Sequence, residues 1–275
     1  MSNGTKIGLG QSYLEVVRNL KKADKAAKGS MNALSSGKKS NLDSAAVAIA
    51  TKMSSRIISL AATQQNLSTA HSTLSVVEGA QGQSGELLGR ARELAVQAAN
   101  DTLSASDRSA IQQEFEQIKS QLNHVADTTE FNGINLMSEN KTLSFQTGAD
   151  AGDTMKVELE AATTDALNLN DVSLGDSASA STAIGALDQA IGVLGSQRAA
   201  IGAAQNRLGS IAEINAVAEE NSRAARSMVF DADFARETAE LARNMIKRNA
   251  GLALQAQANS NANFVLPLLN VVKSG

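Results

Sequence analysis

The 275-residue chain has no cysteine, no tryptophan, a single tyrosine (Tyr13) and a single proline (Pro267). Without cysteine there is no disulfide framework and no thiolate metal site. Aromatic residues make up only 3% of the chain, so a core has to be built from Ala, Leu, Ile and Val. Such side chains let helices approach closely, but each buries little area. Globular chains carry about 5% proline; with so little here, almost nothing forbids long helices. The only histidines are His71 and His124. Both fall in helical patterns, and no HExxH pair is present. No Gly-rich phosphate loop follows a strand and no nucleophile-elbow motif occurs. Glu114 and Glu116 flank a helix turn and read as solvated side chains. We therefore expect no catalytic, cofactor-binding or metal-ligating residues, and no enzyme. No uninterrupted run of 18 apolar residues exists, so no membrane span is expected. The N-terminus lacks the apolar stretch of a secretory signal.

Charge is unevenly placed along a chain whose net charge is −3. In the first 40 residues, Lys6, Arg18, Lys21, Lys22, Lys25, Lys28, Lys38 and Lys39 outnumber Glu15 and Asp24. In the last 40, Arg236, Arg243, Lys247, Arg248 and Lys273 outnumber Glu237 and Glu240. The middle is acidic, so the ends are expected to meet different neighbours from the middle. The basic N-terminal helix has no interleaved aromatic residue beyond Tyr13. A solvated face, or one meeting acidic neighbours in a polymer, is favoured over nucleic acid.

Periodicity places the elements. Val16, Leu20, Ala23, Ala27, Met31 and Leu34 step by three or four and predict a helix over 12–34, broken by Ser35-Ser36-Gly37. Asn41 or Asp43 can cap a second helix. Over 44–99, Ile49, Met53, Ile57, Leu60, Leu67, Leu74 and Val77 form one seam, which Leu87, Ala91, Leu94 and Ala98 continue. Polar Gln64 and His71 are read as part of that seam. Unbroken, this helix would span roughly 80 Å, against a radius of gyration of about 19 Å for a compact chain of this length; an elongated rod is expected. Ser104 and Asp107 resemble a capping box before a helix carried by Ile111, Phe115, Ile118, Leu122 and Val125. Asn132-Gly133 reads as a tight turn. Leu143 and Phe145, then Met155, Val157 and Leu159, alternate as a β-hairpin around Gly148 to Asp153. From about Ser181, Ile184, Leu187, Ile191, Leu194, Ile201, Leu208 and Ile211 make a heptad seam with Arg198 and Gln205 in two slots. A last helix runs from about Asp233 through Leu241, Met245 and Leu252. It is expected to weaken near Asn259 and to kink or stop before Pro267.

The expected fold is mainly α: an elongated rod of long antiparallel coiled helices with a small β-hairpin insert. It divides into 1–43 and 233–275 as terminal helices, 44–139 and 181–232 as the middle helices, and 140–180 as the hairpin and its connection. Ala-rich terminal helices bury too little area to offset their conformational entropy. The two ends are therefore expected to be frayed in a lone chain and ordered on association.

Several segments, in order, resemble bacterial flagellins. Ala33-Leu34-Ser35-Ser36-Gly37-Lys38-Lys39 is similar to the family's LSSG segment, and Asp43-Ser44-Ala45-Ala46 to its DDAA segment. Gly89-Arg90-Ala91-Arg92-Glu93-Leu94-Ala95-Val96-Gln97 resembles the long and specific RVRELAVQ motif. Phe131-Asn132-Gly133, Gly202 to Leu208, Asp231-Ala232-Asp233-Phe234-Ala235, Gln255 to Asn259 and Val265 to Leu269 follow in the family's order. The resemblance covers nearly the whole chain and lacks the large variable outer domains.

That resemblance implies a structural subunit that polymerises into the bacterial flagellar filament for motility. The alternative is a non-polymeric secreted helical binding protein or a hook-filament junction protein. It implies a homopolymer with other flagellin subunits, a flagellar export chaperone on the C-terminal helix, and filament cap and hook-junction proteins. It also implies an extracellular place in the filament, reached through the flagellar type III apparatus. Val16, Leu20, Leu34, Leu241, Met245, Leu252 and Leu266 are the expected subunit-interface residues. Arg90, Leu94 and Glu114 match positions that the host Toll-like receptor for flagellin reads in the family.

Overall fold

The computed structural model describes the backbone of residues 3–40 and 42–272 and the side chains of 14–40 and 42–260. In chain order, the described elements are α1 (Asn3–Ser36), α2 (Ser44–Ala98), α3 (Ala105–Thr128), β1 (Glu130–Phe131), β2 (Ile134–Asn135), β3 (Lys141–Gln146), β4 (Thr154–Leu159), α4 (Ser177–Phe230) and α5 (Phe234–Val272). They form two compact units: a terminal unit of Met1–Ser55 with Ser222–Gly275, and a middle unit of Arg56–Asn221. The division falls inside α2 and α4 rather than at a helix end.

Local chemistry sets each helix end. Gly37 adopts φ +69° immediately after α1, the left-handed conformation that ends a helix and that glycine takes without strain. Asp43 accepts from the Ala46 amide (2.6 Å) and starts α2. Asp176 does the same for Ser179 at α4 (2.8 Å) and Asp233 for Arg236 at α5 (3.1 Å). Ser104 and Asp107 form the expected capping box at α3. Arg108 donates to the carbonyls of Ala98 (3.0 Å) and Asn100 (2.9 Å), which occupies acceptors left over at the end of α2.

The middle unit holds the large apolar core. Phe115, Leu74, Leu88, Leu94, Leu122 and Leu187 are fully buried there. Both hairpins form as the alternation predicts. Asn132 and Gly133 take φ +52° and +75°, the pair of positive angles that a type I′ turn between β1 and β2 requires. Leu143 pairs with Val157 and Phe145 with Met155 across β3 and β4. At the tip, a Cβ on Gly148 would fall 2.3 Å from Asp153 Oδ2, so only glycine fits. The tip is fastened to two helices: Thr63 Oγ1 donates to Gly148 O (3.2 Å), and Asn215 Nδ2 donates to Thr147 O (2.7 Å).

Some expectations are corrected. Gln64, His71 and Arg198 are exposed rather than in the seam, and Ile49 also faces solvent. Leu88, not Leu87, is the fully buried leucine of its turn. The 3.6-residue period drifts against a strict heptad, so a seam extrapolated over many turns slips by one residue. Gln81, Ser84 and Gln197 are among the buried polar side chains of the middle unit, with Thr63, Thr73 and Asn215 on the same helices. Gln81 Oε1, Ser84 Oγ and Gln197 Oε1 have no hydrogen-bond partner, while Gln197 Nε2 donates to Glu160 Oε2 (3.2 Å). α1 starts at Asn3, nine residues earlier than expected. α5 carries on without interruption through Pro267 to Val272. Helix growth is cooperative, so an established helix of 39 residues extends through poor formers that would not start one. α1 and α5 are helical and packed on each other within the single chain.

α2 is also, among the described residues, the one helix long and apolar enough to cross a membrane, with a mean hydropathy of 1.3 in its most apolar window. Alanine raises that mean without making an uninterrupted apolar run. Lys52 and Arg56 lie in the same half of the helix. Each would cost about 2.5–3.5 kcal/mol at a bilayer centre. Ile57, Leu60, Leu67 and Leu74 are already buried against the protein.

Because Phe115 is the largest fully buried side chain, Phe115→Ala is expected to destabilise the middle unit by about 3–5 kcal/mol. Urea denaturation followed by helical circular dichroism measures it.

Candidate assembly surface

The terminal unit is organised around the loop that follows α1. Ala232 N donates to Gly37 O (2.9 Å) and Lys39 N to Phe230 O (3.0 Å). Lys39 Nζ donates to the carbonyls of Met228 and Val229, placing a cation on acceptors at the C-terminus of α4, where the helix dipole favours it. Lys38 Nζ lies 5.1 Å from the centre of the Phe230 ring, within cation–π range. The exit of α1 and the entry of α5 are thus held together, and the two helices run antiparallel from that clasp.

Small residues decide how they pair. Ala23, Ala27, Ser30 and Ala33 are buried on one stripe of α1, and α1 packs closely on α5. A Cβ added at Gly251 would lie 3.2 Å from Leu20 Cδ1, so Gly251 makes room for that leucine. Arg248 Nη1 sits 3.9 Å from Asp24 Oδ1, and Asp24 also meets Lys28 at 3.2 Å. The inner stripe is sealed by alanines, but the larger apolar side chains are left outside. Leu14 and Met31 on α1, and Phe234, Met245, Ile246, Leu252 and Leu254 on α5, are exposed, as are Val47, Ile49 and Met228.

This sorts the expected interface residues. Val16, Leu20, Leu34 and Leu241 are half-buried, partly engaged within the chain. Met245 and Leu252 are exposed. The side chain of Leu266 lies outside the described residues. Ile246 and Leu254 were missed because they fall off the three-four seam, and Phe234, seven residues before Leu241 and in register with it, was passed over; their size was the available signal. Glu237, buried despite its charge and with Oε2 unpartnered, had no sequence signal at all.

The three expected receptor residues are divided. Arg90 bonds Glu114 Oε1 through Nη2 (2.8 Å) and Nε (3.2 Å), and Glu93 Oε2 through Nη1 (3.0 Å). Bonds to Glu114 first, then Glu93, hold its guanidinium above the ordinary arginine range. Both Arg90 and Glu114 are exposed, whereas Leu94 is buried in the core. Only the ion pair is accessible to a partner of the folded chain.

Elsewhere the described surface is chemically plain. No group of three His, Asp or Glu residues among the described residues converges as a metal site. An open groove of about 250 Å³ is floored by Leu67 and Leu208 beside Gln64 and His71, and no carboxylate or cation lines it.

Long helices paired along a small-residue stripe, with large apolar side chains on the outside, define a helical protein with an exposed apolar surface. Residues 9–142 match the model of the bacterial flagellin N-terminal helical region, and residues 184–269 that of the bacterial flagellin C-terminal helical region. The chain belongs to the bacterial flagellin family. It is 36% identical over 260 residues to the flagellin of Halalkalibacterium halodurans, covering 91% of this chain and 93% of that one. It is 32% identical over 261 residues to the flagellar filament 30.7 kDa core protein of Treponema maltophilum, covering 88% and 92%. Its fold is similar to that of a putative flagellar hook-associated protein from Vibrio parahaemolyticus, with a TM-score of 0.57 at 17% identity over 67% of this chain and 97% of that one.

Three carboxyl groups in the middle unit link stability to pH. Asp188 is held below the ordinary carboxylate range by its bond to Arg92 (2.6 Å). Asp107 is lowered by its bonds with Ser104, and Asp176 by those with Ser179. A carboxyl with a depressed folded pKa contributes stability above its unfolded value of about 3.9, which is lost as pH falls through the folded value. The thermal unfolding midpoint is therefore expected to be level near neutrality and to drop below about pH 4. Asp188→Asn should make that drop shallower in a pH series of melting curves.

Proposed function

We propose that this chain is a structural subunit that polymerises into a bacterial flagellar filament, with other copies of itself covering the outer face of the α1–α5 pair. The observation that carries the reading is the set of large apolar side chains on that face, with Leu14, Met31, Phe234, Ile246 and Leu254 turned away from the chain's own interior. Large apolar side chains exposed together in one unit point to an interaction site, as the same residues scattered singly would not. Val16, Leu20, Leu34, Leu241, Met245 and Leu252, with Leu266 beyond the described side chains, belong to the same contact. A homopolymer suits a surface on which every copy offers the same apolar residues.

On this reading the protein resides outside the cell in the flagellum, exported by the flagellar type III apparatus. A chaperone covers the apolar residues of α5 before assembly, and filament cap and hook-junction proteins meet the same terminal helices. The exposed Arg90–Glu114 pair is what a host Toll-like receptor would contact on the monomer. A helical junction protein that does not polymerise would lack self-elongation, and this separates the alternative.

Electron microscopy of purified protein added to filament seeds tests the proposal. The full chain is expected to elongate seeds, and a chain ending at Met245 to remain soluble, with its middle unit intact and no elongation. Normal filaments from the truncated chain would sink the two-ended model. Hydrogen exchange gives a second readout. A two-helix pair with few buried groups opens readily, so amides of 14–36 and 234–260 should exchange fast in the monomer and slowly in the filament. Strong protection in the monomer would count against the idea.

A further inference from the structure

With no cysteine in the chain, methionine carries all of its sulfur. Among the methionines with described side chains, those of the middle unit are buried, three of the terminal unit are exposed, and Met53 of the terminal unit is half-buried. In the middle unit Met137 is 0% and Met155 4% exposed. In the terminal unit Met228 is 78%, Met31 53% and Met245 40% exposed. A thioether reacts with peroxides according to its access to solvent. The product, a sulfoxide, is a polar group in place of a flexible apolar one and disrupts interfaces built on methionine.

The three exposed side chains lie on separate elements of the same unit. Met31 is on α1, turned away from the Ala27, Ser30 and Ala33 stripe. Met245 lies on α5, seven residues and two turns before Leu252, which is also exposed. Met228 is in the last turn of α4, two residues before its end, and its carbonyl accepts from Lys39 Nζ in the clasp. Met31 and Met245 are among the side chains that a second copy would cover, and Met228 is exposed beside the clasp that joins the same two helices.

We propose that Met31, Met228 and Met245 form an oxidation-sensitive site on the assembly surface, at which peroxide turns an assembly-competent subunit into an incompetent one. The inference rests on the reading that this surface binds another copy of the chain. In the reaction, a sulfur lone pair attacks one oxygen of hydrogen peroxide and the O–O bond breaks. An S–O bond forms, and the departing hydroxide takes the proton of the new S–OH group and leaves as water. Sulfur loses two electrons and the peroxide gains them. The sulfoxide oxygen then needs a hydrogen-bond donor where the partner copy offers apolar atoms, and burying it without one is unfavourable. Methionine sulfoxide reductases reverse the change.

The test uses the full chain in soluble form, treated with dilute hydrogen peroxide, mapped by peptide mass spectrometry and then added to seeds grown from untreated chain. Met31, Met228 and Met245 are expected to oxidise before Met137 and Met155. The oxidised chain is expected to elongate seeds at least tenfold more slowly, and reductase treatment to restore the rate. A variant carrying Met31→Leu, Met228→Leu and Met245→Leu keeps the apolar volume without the sulfur. Its elongation rate, whatever its value before treatment, is expected to stay the same after peroxide, and a loss as large as that of the unsubstituted chain counts against this inference. Equal or faster oxidation of Met137 and Met155, or unchanged elongation by the oxidised chain, overturns this inference and leaves the assembly reading standing. An untreated chain that elongates no seed overturns the assembly reading and this inference with it.

Discussion

Two helices can cover only one stripe of each other, and the terminal unit depends on that constraint. A pair has one contact face per helix, whereas a helix inside a bundle meets neighbours on several sides. In α1 and α5 the single stripe is given to small side chains, Ala23, Ala27, Ser30 and Ala33, with Gly251 opening space for Leu20. The close approach is good for backbone packing and poor for burying area. The larger side chains that would supply hydrophobic stabilisation, Phe234, Ile246 and Leu254 among them, are left facing outward.

The middle unit solves the same problem differently. Three long helices and two hairpins supply enough neighbours to enclose Phe115, Leu94, Leu122 and Leu187 completely. The β3–β4 tip adds polar fastening, because Thr63 and Asn215 reach its carbonyls from two helices at once. Ion pairs on this unit, such as Arg92 with Asp188, are solvent-exposed and act more on pairing geometry than on net stability. One chain therefore carries an enclosed apolar core in its middle unit and large exposed apolar side chains in its terminal unit.

Much of this is legible from residue order. The capping box at Ser104 and Asp107, the Asn132-Gly133 turn and the pairing of Leu143 and Phe145 with Val157 and Met155 each rest on interactions between residues close in sequence. So do the helices, whose period and near-absence of proline leave few other choices. Long-range seams are less reliable. Counting heptads placed Gln64 and His71 inward, while both are exposed and Gln81, Ser84 and Gln197 are buried. Small departures from the assumed period accumulate over a helix of 55 residues. Pro267 shows a related limit, since a local penalty was read as a break and the cooperative helix runs through it.

By itself the sequence determined the element types, their order, the turn chemistry, and the family through its ordered motifs, because these follow from local stereochemistry and from residue identity. Only the tertiary structure decided which apolar side chains are inside. Leu94 and Met245 occupy similar seam positions in the sequence, yet one is enclosed and the other is exposed. Burial depends on how many neighbours surround a helix, and that number is set by segments distant in the chain.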